Sequence, residues 1–515
     1  MSIKKIKKSL KILLVSITLL VGVIYFSLNF FFGKINSTYA AYNKKDPIKL
    51  LVSPLGNPRY LFVPSAPLFF KNLNENKKLN QFMTSVVGKD IFQNPPLKAL
   101  GIMSELFSYL PLKIRRRALL SLFSGSVYYV SSLDGFVLIF ETNRVGRYAL
   151  KKLKGKGRHI SMKGNFFILA SSSYYLQKQL ARLEKNISGY SSAKYKNSSL
   201  YMITPFNSLT ANKKSLDKDL YFGIYGAIFK ADVFNYQSIK VTPSSSGILL
   251  EANARFNKAL GVKVKKLHDH FYDSKEKDLL NEYTPSDEII VNFHSDIAYM
   301  ENFMNGSYEN FQKTKNKSST IYQFTGFMED YGLLVPNIAI AFSHSNSYYV
   351  KNFLQNAFKF KKIKESAFGK NGNKIQRIRY SYYRGNQYYG FSPVYSSINE
   401  SSMIWASSEQ NYKQLSNILL KKTNRRRNLS FVKFSNNHPI KPNESLFFTL
   451  SGDLKGILKS SLKKIKNFSG RYSIEAFADL KDTLPKIITH FTSNKVHGKS
   501  YISSEKLRSI IKIEI

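Results

Sequence analysis

The chain has 515 residues, with 78 Lys or Arg against 33 Asp or Glu, a formal net charge of +45 at pH 7. Hydrophobic residues at 43% and charged residues at 22% make a folding composition, which excludes a disordered or collagen-like chain. There is no cysteine, so disulfides, thiolate metal sites, Cys nucleophiles, Cys-linked lipid and c-type haem are all excluded.

At the N-terminus, Lys4, Lys5, Lys7, Lys8 and Lys11 precede an uncharged run from Ile12 to Phe32. At about 1.5 Å per residue the run matches the hydrocarbon thickness of a bilayer, which predicts a membrane-spanning helix with lipid as its partner. The lysines favour a cytoplasmic tip, with the bulk of the chain periplasmic or otherwise extracytoplasmic. The competing reading is a signal peptide cleaved after Thr38-Tyr39-Ala40; against it, the run is longer than a signal core and Lys34 intervenes. No later stretch approaches the length of a second span, so a single-pass protein of the cytoplasmic (inner) membrane is expected.

Repeated patterns follow. Residues 287–297 (DEIIVNFHSDI) and 444–454 (ESLFFTLSGDL) each predict a strand, a tight turn and an Asp, Asp296 or Asp453, capping a helix. Looser copies lie at Asn57–Leu68 and Ser199–Leu209. A second shared element is Phe166–Leu183 (FFILASSSYYLQKQLARL) and Ser402–Leu419 (SMIWASSEQNYKQLSNIL): an apolar strand entering Ala-Ser-Ser, then an amphipathic helix. Upstream of each lies another strand-to-helix pattern, Phe136–Leu153 and Ile338–Phe358. An insertion rich in Lys, Gly, Tyr and Arg follows at about 361–395. Ser238–Phe256 reads as a hairpin and Arg508–Ile515 as a closing strand.

The expected organisation is a basic tip and spanning helix over 1–33, a linker over 34–45, a first half over 46–262, a charged connector over 263–283 and a second half over 284–515. The expected fold class is α+β: two similar halves of largely antiparallel sheet with helices packed on one face.

Enzyme motifs are scarce. Gly498-Lys499-Ser500 looks like the end of a phosphate-binding loop, but Ser493 replaces the glycine that loop needs. His268, Asp269, His270 and Asp273 are the one concentrated group of potential metal ligands, and read as solvated residues of the connector. His294 precedes Asp296 in the repeat, where the other copy has Ser451, so a turn role is expected. No catalytic residue, metal or cofactor is assigned.

Basic clusters are the remaining candidates: Arg115, Arg116 and Arg117; Lys151, Lys152, Lys154, Lys156 and Arg158; Lys359–Lys364; and Arg425, Arg426 and Arg427. With tyrosines interleaved over Tyr380–Tyr389, they could bind a polyanion by charge neutralisation. An extracytoplasmic location makes anionic lipid or an envelope polymer the expected partner and argues against nucleic acid.

The basic N-terminal run, the strand-turn-helix segments, the Ala-Ser-Ser element and the late hairpin resemble, in that order, bacterial single-pass envelope proteins of a domain-of-unknown-function family. The resemblance implies an extracytoplasmic protein and brings no catalytic residues. The expected function is non-enzymatic: a structural or adaptor module near the membrane on which another envelope protein docks.

Overall fold

A computed structural model of the chain describes residues 50–52, 58–76, 122–143 (residue 133 excepted), 147, 159–186, 198–205, 234–256, 278–294, 320–330, 333–342, 361–368, 375–384, 387–391, 394–399, 402–420, 427–457, 459, 461 and 495–514. These form two compact units. One holds the described residues up to Met202, and the other those from Ile203 on, with Glu75 and Asn76 joining the second.

The first unit is built on strands β1 (Arg59–Val63), β2 (Val127–Ser131), β3 (Phe136–Glu141), β4 (His159–Lys163) and β5 (Phe166–Ala170), with the first three residues of β6 (Leu200–Pro205). Its antiparallel ladder runs β1–β2–β3–β5–β4, with β6 on the other side of β1. Helices α1 (Ala66–Glu75) and α2 (Ser173–Asn186) follow β1 and β5. Alternating large apolar residues fill the core. Phe62 stacks on Tyr128 at 4.6 Å, and Phe140 meets Phe123 and Phe167 at 4.8 and 5.0 Å. Gln179 of α2 is fully buried, donating to the Leu50 carbonyl at 3.0 Å and accepting the Val52 amide at 2.8 Å.

The second unit contains β7 (Phe234–Ser244), β8 (Gly247–Phe256), β9 (Ile289–Phe293), β10 (Thr320–Asp330), β11 (Leu333–Phe342), β12 (Lys361–Phe368), β13 (Ile375–Arg384), β14 (Gln387–Phe391), β15 (Val394–Asn399), β16 (Ser402–Ala406), β17 (Ser445–Asp453), β18 (Lys495–Ile502) and β19 (Lys506–Glu514). Every register within it is antiparallel. The order is β7–β8–β19–β18–β17–β9–β10–β11–β16–β15–β13–β12, with β14 beside β13. Its helices are α3 (Leu279–Glu282), α4 (Glu409–Leu419) and α5 (Leu429–Asn437). Tyr412 and Leu415 of α4 pack with Ala339, Ala341 and Ile404, while Leu280 of α3 and Phe431 and Phe434 of α5 pack with Ile290, Tyr501 and Ile510.

The expected fold class, an α+β chain of two similar halves behind an N-terminal spanning helix, is overturned. The described residues are mostly antiparallel sheet with few helices. The insertion expected between helical units supplies four strands instead. Its segments are rich in Tyr, Ile and Phe, side chains that suit a pleated surface better than a helix. No helix among the described residues is long and apolar enough to cross a membrane, so the described fold contains no spanning helix. Ile12–Phe32 lies outside the described residues.

The Ala-Ser-Ser elements have a common geometry. Ser171 donates its amide to the Phe136 carbonyl at 3.0 Å, and its hydroxyl oxygen accepts the Phe136 amide at 3.0 Å. Ser407 does the same with Ile338, at 2.8 and 2.9 Å. The next serine caps the helix: Ser172 accepts the Tyr175 amide at 3.3 Å and Ser408 that of Asn411 at 3.2 Å. One serine thus ties the strand end to its neighbour while the other starts the helix. Asp453 also acts as expected, accepting the amides of Lys455 and Gly456 at 2.9 and 3.3 Å ahead of a helical turn at 454–457.

Candidate functional site

The densest polar group lies in the second unit, on the face of β9, β17 and β18 beneath α3 and α5. Register aligns Asn292, Thr449 and Lys499 across the three strands, and Ser451 beside His497 in the next row. All five are buried. A strand turns alternate side chains to one face, so polar residues two apart in β17 and β18 (Thr449 and Ser451, His497 and Lys499) necessarily enter the same layer.

Asp278 caps α3 and projects into this layer. Its carboxylate accepts the Leu280 amide at 3.0 Å and Asn292 Nδ2 at 3.3 Å, and lies 3.6 Å from His294 Nε2. Burial alone would push its pKa up, but the hydrogen bond and charge of His294, with Thr449 and the Leu280 amide, hold it below the usual carboxylate range. The His294 nitrogen facing Asp278 is also the one 3.3 Å from Thr449 Oγ1. A nucleophile relay needs the two partners on opposite ring nitrogens, so Asp278, His294 and Thr449 do not form a catalytic triad.

Ser451 and His497 form a closed pair. Asn428, the N-cap of α5, donates to Ser451 Oγ at 3.0 Å, and that hydroxyl lies 3.1 Å from His497 Nδ1. His497 Nε2 is buried without a hydrogen-bond partner. Burial pushes its pKa down to about 4, leaving a neutral, weakly basic imidazole with no orienting acid. Lys499 reaches the Ser435 carbonyl at 3.5 Å, and burial lowers its pKa against the pull of Asp278.

A second hub surrounds Glu288, which is fully buried. Its carboxylate accepts hydrogen bonds from Tyr283, Gln323 and Gln414, the last at 3.2 Å. Burial raises its pKa despite those donors. In the first unit Glu141 is buried with only Ser126 Oγ at 3.3 Å as a side-chain partner, and burial raises its pKa to about 7.

Of the basic residues expected to bind polyanions, Arg115, Arg116, Arg117, Lys151, Lys152, Lys154, Lys156, Arg158, Arg425 and Arg426 lie outside the described residues, as do His268, His270 and Asp273. Arg427 is exposed and precedes the α5 cap. His294 is a buried partner of Asp278 and Thr449 rather than a plain turn residue. Asp278, Glu288, Thr449 and Lys499 carried no role in the sequence reading. For Thr449 and Lys499 the available signal was the period-two placement of polar residues in otherwise apolar strands; Asp278 and Glu288 lie outside strands and carried no such signal. Among the described residues no group of three or more His, Asp or Glu side chains could hold a metal ion. No family model, curated protein or solved structure matches this chain.

Proposed function

We propose that the chain is a non-enzymatic structural or adaptor protein of the cell envelope, presenting stiff antiparallel sheet on which another envelope protein docks. One observation carries this reading: Asp278, Glu288 and Ser451, all buried in the second unit, are each held by two or more neighbouring polar groups, even though His497 Nε2 beside Ser451 has no hydrogen-bond partner. Asp278 is held by an amide, an amide side chain and an imidazole; Glu288 by a phenol and two glutamines; Ser451 by an asparagine and a histidine. Groups satisfied in this way fix strand and helix positions. The full chain is crosslinked to its neighbours in intact cells, isolated, and uncrosslinked samples are washed at rising salt. An apolar docking contact survives high salt, whereas loss of every specific neighbour refutes the adaptor role.

A second reading is polyanion binding. It is favoured by the pairing of β12 with β13, two strands that together carry Lys361, Lys362, Lys364, Arg377, Arg379 and Arg384 against the single acidic residue Glu365. A neighbour lost steeply between low and moderate salt supports this reading over the first.

A further inference from the structure

We propose that the outer edge of β4 accepts an extended segment of a partner protein as an additional antiparallel strand. This deepens the adaptor reading and rests on it, by naming where docking occurs. Among the described residues β4 pairs only with β5, so one edge of the strand carries backbone groups with no ladder partner among them.

The chain contains its own precedent. β4–β5–α2 and β15–β16–α4 are the same element, each a strand pair running into Ala-Ser-Ser and a helix. His159 stands opposite Ala170 as Val394 stands opposite Ala406. In the second unit the outer edge of β15 is occupied: β13 runs antiparallel to it, with Arg377 opposite Val394 and Gln376 opposite Tyr395. The positions matching His159 and Ile160 therefore already carry a strand there.

Local geometry sets which groups are on offer. β4 and β5 are joined by the two-residue turn Gly164-Asn165, with Gly164 at φ +57. In such a hairpin the closing pair, Lys163 and Phe166, is hydrogen-bonded, and alternation turns the peptide groups of Met162 and Ile160 away from β5. β4 contains no proline, and its lysine, Lys163, is ion-paired with Glu184 of α2. The edge strand β12, by contrast, begins Lys-Lys-Ile-Lys, the charged pattern that discourages added strands.

Charge selects the occupant. A net charge of +45 opposes pairing of β4 with a second copy of the chain and favours a segment bearing Asp or Glu.

The test uses the full chain in complex with the neighbour that survives the salt wash. Met162→Pro removes an outward amide while leaving the β4–β5 bonds, so this variant is expected to lose at least tenfold in retained neighbour. Because Met162 also packs on the core, Met162→Ala, which loses that packing but keeps the amide, is expected to retain the neighbour at the wild-type level. Retention at the wild-type level by Met162→Pro overturns the proposal. Hydrogen exchange on the wild-type complex gives an independent reading that needs no variant. The Ile160 and Met162 amides are expected to exchange at least tenfold more slowly in the complex than in the free chain, and equal rates overturn the proposal. Failure of the wild-type chain to retain any neighbour through the salt wash instead removes the adaptor reading, and the docking edge falls with it.

Discussion

Ser407 and Ile338 hold each other by two hydrogen bonds, the serine amide giving to the Ile338 carbonyl at 2.8 Å and the serine hydroxyl oxygen accepting the Ile338 amide at 2.9 Å. Ser171 and Phe136 repeat the arrangement at 3.0 Å each way. The surroundings differ. Ser407 is buried and also lies 3.0 Å from Asn337 Oδ1, whereas Ser171 is exposed. Ser407→Ala is therefore expected to cost about 2 kcal/mol and Ser171→Ala about 1 kcal/mol, since only the buried site leaves polar groups without water. Denaturant titration of each variant measures the difference, and equal costs would contradict the assigned roles.

The residue before each clamped strand position explains a further difference. In the first unit it is Gly135, where a Cβ would lie 2.2 Å from Ser171 Oγ and 2.9 Å from Tyr175. In the second it is Asn337, whose side chain joins Ser407, Ser408, Thr325 and Asn411 in one network. Gly135→Ala must displace the Ser171 hydroxyl, so its effect and that of Ser171→Ala overlap. The double variant is expected to cost less than the two singles together, by about 1 kcal/mol. Strict additivity in a double-mutant cycle would show that the glycine serves some other purpose.

Two buried groups, Glu141 in the first unit and His497 in the second, respond to acid in opposite directions. Glu141 has its folded pKa raised from 4.5 to about 7, so the folded first unit holds a proton that the unfolded chain releases. Its contribution is complete below pH 4.5 and is lost as pH rises to about 7, a change on the order of 3 kcal/mol. His497 has its folded pKa lowered from 6.5 to about 4, so its contribution to the second unit is complete above pH 6.5 and is lost as pH falls toward 4. Melting followed from pH 4.5 to 7 should show the first unit weakening. In the second unit Glu288, whose pKa burial raises, opposes His497, so the His497 contribution is read as the gain with pH that the wild type shows over His497→Phe. Glu141→Gln should flatten the first slope and leave the second unchanged.

Much of the strand inventory was legible in the sequence. Asn57–Leu68, Ser199–Leu209 and the 287–297 and 444–454 segments contain β1, β6, β9 and β17, because each is a short β-branched and aromatic run closed by turn residues. The late hairpin also appears as read, with β7 and β8 flanking its turn. The insertion did not read as strands, since Lys and Arg alternating with Tyr mimic a solvated surface as readily as a pleat. Asp278 and Leu280 lay at the end of a segment read as an exposed connector, yet both are buried. Their burial comes from β9 and α5, which sequence spacing does not bring together. The Asp278–His294 pair was hidden for the same reason, while the Ser451–His497 pair depends on a strand register 46 positions apart.

Close backbone approach gives another test. Gly452 faces Ile289 across β17 and β9, and a Cβ on it would stand 2.7 Å from both the Glu288 carbonyl oxygen and Ile289 Cα. Backbone atoms cannot step aside without opening the ladder. Gly452→Ala is expected to destabilise the second unit by about 2–3 kcal/mol and leave the first unit's transition in place. Equal loss in both transitions would mean that the two units do not unfold separately.

The central claim is that the buried polar layer of the second unit supports a fold and performs no reaction. Its most direct test is complementation of cells lacking the protein with Ser451→Ala and Lys499→Met, each checked for an unchanged fold by melting and hydrogen exchange. Full complementation by both variants is the predicted result. Loss of function in a variant that folds and melts like the wild type would assign the layer a chemical role and contradict the claim.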